Sequence, residues 1–189
     1  CINMKINKAM NIVVPVDIDG VECFVHSTPI SFEVFEKYFL VISKTFSEIY
    51  SQGLSHVAAP RVASLLLKKC ARDLGELENV EKGLINEIRR LTNIVMPSDK
   101  GWETIPYYDA LQKNLLNAQD AGEIDGIITY FIVASAMHKK DNLTGVLALL
   151  SMWGASIEYL NASEYCLSLP MSTGQESSGV MGNISLVPS

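Results

Sequence analysis

The stretch SFEVFEKYFLVISKTFSEIYSQG (Ser31–Gly53) decides how this chain is read. Its residues Phe32, Phe35, Phe39, Ile42, Phe46 and Ile49 recur at alternating spacings of three and four, which puts all six on one side of a helix. Ser31 is placed to cap the start of that helix and Gly53 to end it. Four of the chain's six Phe residues lie on this stripe. So much apolar surface has to be covered, by the rest of the chain or by a partner.

Working back from the stripe, Ile12–His26 predicts a β-hairpin turning at Asp19-Gly20, since a type I′ turn needs positive φ at both central residues. The register follows: Ile18 opposite Val21, Val16 opposite Cys23 and Val14 opposite Val25, all on one side. Asp17 opposite Glu22 makes the other side a wet one. Pro15 points to an edge strand.

Working forward, the apolar spacing predicts helices over Pro60–Leu74, stopped by Gly75, and Leu77–Val95, ended by Met96-Pro97. Ser98–Thr104 reads as a loop holding Trp102. A short helix follows from Pro106, then a polar break at Asn117–Glu123. The two most apolar helices, Ile124–His138 and Leu143–Trp153, read as a buried helical pair. A last short helix covers Ala162–Leu169. The expected fold is therefore mainly α: an N-terminal β-hairpin, a bundle-like domain of six to seven helices over residues 10–170, and a flexible Ser/Gly-rich tail over residues 171–189. Residues 1–9 are expected to be a non-native or disordered leader, with Met10 as a candidate start.

Composition narrows the function classes. The 189 residues carry a net charge of -6, and their short basic groups form no cluster, so nucleic acid is not an expected partner. The longest apolar runs are too short for a membrane span. Cys1, Cys23, Cys70 and Cys166 show no metal or redox spacing, and His26, His56 and His138 lack partners at ligand spacing. No cofactor, metal or catalytic residue is expected from these patterns. Trp102 and Trp153 are candidate interface anchors or core residues.

One short motif points to chemistry. Val13-Val-Pro-Val-Asp17-Ile-Asp19-Gly-Val21 resembles the first motif of haloacid-dehalogenase-type phosphotransferases. That resemblance implies Asp17 as nucleophile, Asp19 as acid/base, Asp120 and Asp125 as further magnesium ligands and Lys113 as the phosphate lysine. The same residues make an ordinary Asp-Gly turn.

A second resemblance covers more of the chain. Phe24-Val-His-Ser-Thr-Pro-Ile-Ser-Phe-Glu-Val-Phe35, Ala59-Pro-Arg-Val-Ala63 and Ser168-Leu-Pro-Met-Ser-Thr173 resemble the tail-assembly chaperones of tailed bacteriophages. That family implies a non-enzymatic protein of the host bacterial cytoplasm. It would hold apolar segments of the tape-measure protein or other tail proteins, with homo-oligomers allowed. The residues assigned to protein binding are Phe32, Phe35, Phe39, Ile42, Phe46 and Trp102. A structural subunit of the virion tail or neck would share this composition.

Overall fold

The computed structural model describes residues 3–7, 11–51, 58–137 and 156–160, with residues 164 and 167 besides. Strands β2 (Ile12–Ile18) and β3 (Val21–Ser27) form the expected hairpin. Asp19 and Gly20 have φ of 52° and 80°. The pairs Ile18 with Val21, Asp17 with Glu22, Val16 with Cys23 and Val14 with Val25 all form as read from the sequence.

The hairpin does not stand alone. It lies within a six-stranded sheet of order β5-β4-β3-β2-β1-β6, built with β1 (Asn3–Asn7), β4 (Thr92–Ser98), β5 (Gly101–Pro106) and β6 (Ser156–Leu160). β1 to β5 pair antiparallel in turn, and β6 runs parallel to β1. The chain is thus an α/β protein, which corrects the expectation of a mainly α fold with a single hairpin.

The correction has two physical sources. Leu84, Ile88, Leu91 and Val95 keep a helical period, yet the helix ends at Arg90 and Thr92–Val95 enter β4. Thr92 and Ile94 are buried in alternation and pair with Ser27 and Val25. The supposed loop around Trp102 is β5, joined to β4 by a turn that ends on Gly101 at φ 106°. Met96-Pro97, read as a helix stop, lies inside β4 opposite Glu103 and Trp102. Residues 3–7, assigned by sequence to a leader outside the domain, supply β1 instead. Pro15 is also not on an edge strand, because β2 lies between β1 and β3. Alternation from the two-residue turn puts Pro15 and Phe24 in a non-hydrogen-bonded pair, so the missing N–H costs the β2–β3 ladder nothing.

The helices are α1 (Phe32–Lys37), α2 (Phe39–Ser51), α3 (Ala58–Asp73), α4 (Leu77–Val80), α5 (Asn86–Arg90), α6 (Tyr107–Gln112) and α7 (Ala118–Ala136), with one π turn over Glu81–Ile85 between α4 and α5. One sheet face and these helices share a single core. Val14, Val25 and Ile94 meet Ile42, Leu67 and Phe131 within it. Gly126 of α7 lies so close to α3 that a Cβ there would sit 2.2 Å from the Pro60 carbonyl oxygen. The expected helices over Leu143–Trp153 and Ala162–Leu169, and the tail over residues 171–189, lie outside the described residues. Among the described residues, no helix is long and apolar enough to cross a membrane.

Candidate protein-binding cleft

The organising stripe is two helices, not one. Ser31 caps α1, its hydroxyl accepting the Val34 N–H at 3.3 Å. At Tyr38 the backbone leaves the helix with φ −108° and ψ 18°, and α2 restarts at Phe39. This break divides the stripe. Ile42 and Ile49 are buried, whereas Phe32 is 71% and Phe39 46% exposed. Phe35 and Phe46 are half-buried against the core. The rings of Phe32, Phe35 and Phe39 touch in series, with centroids 6.3 and 5.7 Å apart.

Opposite the break stands a second wall. Helix α3 ends in a Schellman turn: Gly75 has φ 73°, Glu76 N–H donates to Ala71 C=O at 2.8 Å, and Gly75 N–H to Arg72 C=O at 3.0 Å. This turn leaves Leu74 39% exposed, facing the same space as Phe39 and Leu40, which is itself 69% exposed. The π turn then brings Gly83 under Tyr38. A Cβ at Gly83 would fall 1.7 Å from the Tyr38 hydroxyl oxygen, so only glycine lets that ring lie where it does. Between the two walls is an open cleft of about 830 Å³. Its charged lining is balanced: Glu36 and Glu76 against Lys37 and Lys82. Lys37 Nζ sits 5.3 Å from the centre of the Tyr38 ring, and Lys82 pairs with Glu78.

Of the residues assigned to binding by sequence, the structure brings together Phe32, Phe35 and Phe39. Ile42 belongs to the core, and Phe46 packs on Tyr50 with centroids 4.6 Å apart. Trp102 sits on β5 with its ring edge-on to Phe24 at 5.5 Å, away from the cleft. Sequence reasoning missed Tyr38, Leu40, Leu74 and Gly83. An isolated glycine inside a helical pattern was the one available signal.

The carboxylates of the phosphotransferase motif take structural partners. Asp17 Oδ1 accepts the Gly20 N–H at 2.8 Å and so tightens the hairpin turn. Asn117 caps α7 by accepting the Asp120 N–H at 2.8 Å, while its amide NH₂ donates to Asp19 Oδ1 at 2.9 Å and Asp120 Oδ2 at 2.8 Å. The turn and the helix start are thereby pinned together. Asp125 is elsewhere, bound by Arg89 through two bonds of 2.7 and 3.2 Å and lying 3.0 Å from the Tyr107 hydroxyl. That hydroxyl has one hydrogen to share between Asp125 and the Ala121 carbonyl, also at 3.0 Å. Burial and the neighbouring Asp125 charge push the Tyr107 phenol far above its ordinary range, so it stays protonated. The bond to Asp125 holds the Arg89 guanidinium firmly charged. Lys113 is exposed after α6. Among the described residues, no three His, Cys, Asp or Glu are grouped to hold a metal ion. Burial pushes the Cys23 and Cys70 thiols up and the His26 imidazole down. His56 and His138 lie outside the described residues. Comparison of the chain with protein-family models, with curated proteins and with solved structures finds no match.

Proposed function

We propose that this chain is a non-enzymatic binding protein, a tail-assembly chaperone of tailed bacteriophages that holds apolar helical segments of the tape-measure protein in the host cytoplasm. The observation that supports this reading is the exposed, ring-lined face of α1 running into the cleft beside Leu40 and Leu74. Contiguous exposed apolar surface of this kind marks an interaction site, and a helix laid in an apolar groove is a recurrent recognition mode. The test is co-expression with the tape-measure protein of the same virus. The soluble yield of that protein should rise with the wild-type chain and fall back with Phe39→Glu. No gain in yield, together with no complex on a sizing column, would overturn the reading.

A structural subunit of the virion would present a similar face. Finding the chain in purified particles would favour that alternative. The magnesium-dependent phosphatase reading has less support. Asp17 and Asp19 stand at the tip of an antiparallel hairpin and not at the end of a parallel strand. Asp125 is already committed to Arg89.

A further inference from the structure

We propose that Asp19-Gly20 is a site of covalent ageing, where aspartate rearranges to isoaspartate, and that Asp17 and Asn117 hold the rearrangement in check. In the first step the Gly20 nitrogen attacks Asp19 Cγ: a C–N bond forms, the nitrogen gives up its proton and a carboxyl oxygen leaves as water. Water then reopens the five-membered succinimide, so nothing is oxidised or reduced. Opening at Cγ restores aspartate. Opening at the backbone carbonyl leaves isoaspartate, whose main chain runs through Cβ and Cγ. Aspartate followed by glycine is open to this chemistry because glycine puts no side chain beside its own nitrogen. The chain holds two such pairs, Asp19-Gly20 and Asp125-Gly126. Asp19 and Gly20 are both exposed, and nothing lies within 4 Å of where a Gly20 Cβ would be. Asp125 is gripped by Arg89, and Gly126 is buried inside α7 against α3. Of the two pairs, only the turn has room and access to solvent. Yet both reacting groups of the turn are tied. Gly20 N–H donates to Asp17 Oδ1 at 2.8 Å, and a negative acceptor keeps the proton on a nitrogen that must lose it. The Asn117 amide draws the Asp19 carboxylate toward the start of α7 with a bond of 2.9 Å. Rearrangement would put one more main-chain carbon into the two-residue turn that sets every pair of β2 with β3.

The test is to age the full chain at neutral pH below its melting temperature and to map isoaspartate in its peptides, read as bonds that endoproteinase Asp-N no longer cuts. Wild type should form it at Asp19 at least tenfold more slowly than the guanidinium-unfolded chain, and faster than at Asp125. Asn117→Ser keeps the α7 cap but not the amide that holds Asp19, and should speed the reaction at Asp19 at least threefold. Asp17→Ala frees the Gly20 N–H and should do the same. Asp125 is the control within the molecule. Its rate rises only when the whole fold opens, and it should stay at the wild-type value in both variants. An unchanged rate at Asp19 in either variant overturns the proposal. So does a rise shared equally by Asp125, which would make lost stability the cause. Isoaspartate that gathers first at Asp125, or a folded wild type that reacts at Asp19 as fast as the unfolded chain, overturns it as well.

Discussion

Two glycines one turn apart on α7 give a sharp test of how the helices pack. Gly122 has open space where a Cβ would be, whereas a Cβ on Gly126 would lie 2.2 Å from the Pro60 carbonyl oxygen of α3. Replacing either glycine by alanine should gain about 1 kcal/mol of helix propensity. At Gly122 nothing opposes that gain, so Gly122→Ala should stabilise the fold by about 0.5–1 kcal/mol. At Gly126 the carbonyl would have to retreat by about 1 Å to reach an ordinary contact. The obstacle is backbone rather than the end of a flexible side chain, so α3 as a whole must move. Overpacking of this kind costs about 1–3 kcal/mol, which outweighs the propensity gain. Gly126→Ala is thus expected to lose up to about 2 kcal/mol net. Urea unfolding of both variants reads the outcome as opposite shifts in midpoint at equal slope. If Gly126→Ala proves as stable as Gly122→Ala, α3 and α7 do not cross where the structure places them.

Substitutions at three further positions probe the contacts among the helices and their ties to the sheet. Asp125→Ala strips the charged partner from Arg89 and one hydrogen-bond acceptor from Tyr107, and should cost about 2 kcal/mol in the same unfolding assay. Asn117→Ala removes the α7 cap and the tie to Asp19, for a loss of about 1 kcal/mol or more; Asn117→Ser should restore the cap alone. His26 is held below its usual pKa of 6.5 by burial, so the fold favours the neutral ring. Its contribution is present above pH 6.5 and is lost as pH falls toward the lower folded value. The acid side of a stability profile should therefore be flatter in His26→Gln, and an unchanged slope would refute the burial of that ring.

The parts of the fold legible in the sequence are those fixed by local chemistry. Asp19-Gly20 names its own turn, and two residues of turn set every pair of β2 with β3. Ser31 and Gly75 likewise mark helix ends through bonds to their own neighbours. What could not be read depends on distant residues. Nothing near Thr92–Ser98 says that β3 lies alongside, and the apolar spacing from Leu84 to Val95 runs without a fault across a helix end and into a strand. Period alone cannot place that boundary, because short apolar runs satisfy helix and strand templates alike. The cleft was half legible for the same reason. Phe39 belongs to a local pattern, while Leu74 and Gly83 reach the cleft only through the turn after α3 and the π turn that follows.

Exposure along the stripe does not follow the division at Tyr38, since Phe32 of α1 and Phe39 and Leu40 at the start of α2 are all exposed. Phe32, Phe35 and Phe39 are no less apolar than Ile42 and Ile49, so burial is not decided by composition. Helix α2 buries Val41, Ile42, Thr45 and Ile49, and α1 buries nothing. Tyr38 leaves helical φ and ψ, yet its N–H and C=O keep i→i−4 bonds to Val34 and Ile42, and full burial begins at Val41, where α2 packs on α3 and α7. A helix of six residues is too short to be stable in water on its own propensity, and α1 meets the core only through the half-buried Val34 and Phe35. It is held by its Ser31 cap, by ring contacts along its own length and by Tyr38 seated on Gly83. Those are interactions that fix where the rings point without covering them. Apolar surface is therefore left exposed on the stretch that precedes the packing of α2 on α3 and α7, and Gly83 makes room for the Tyr38 ring beside it.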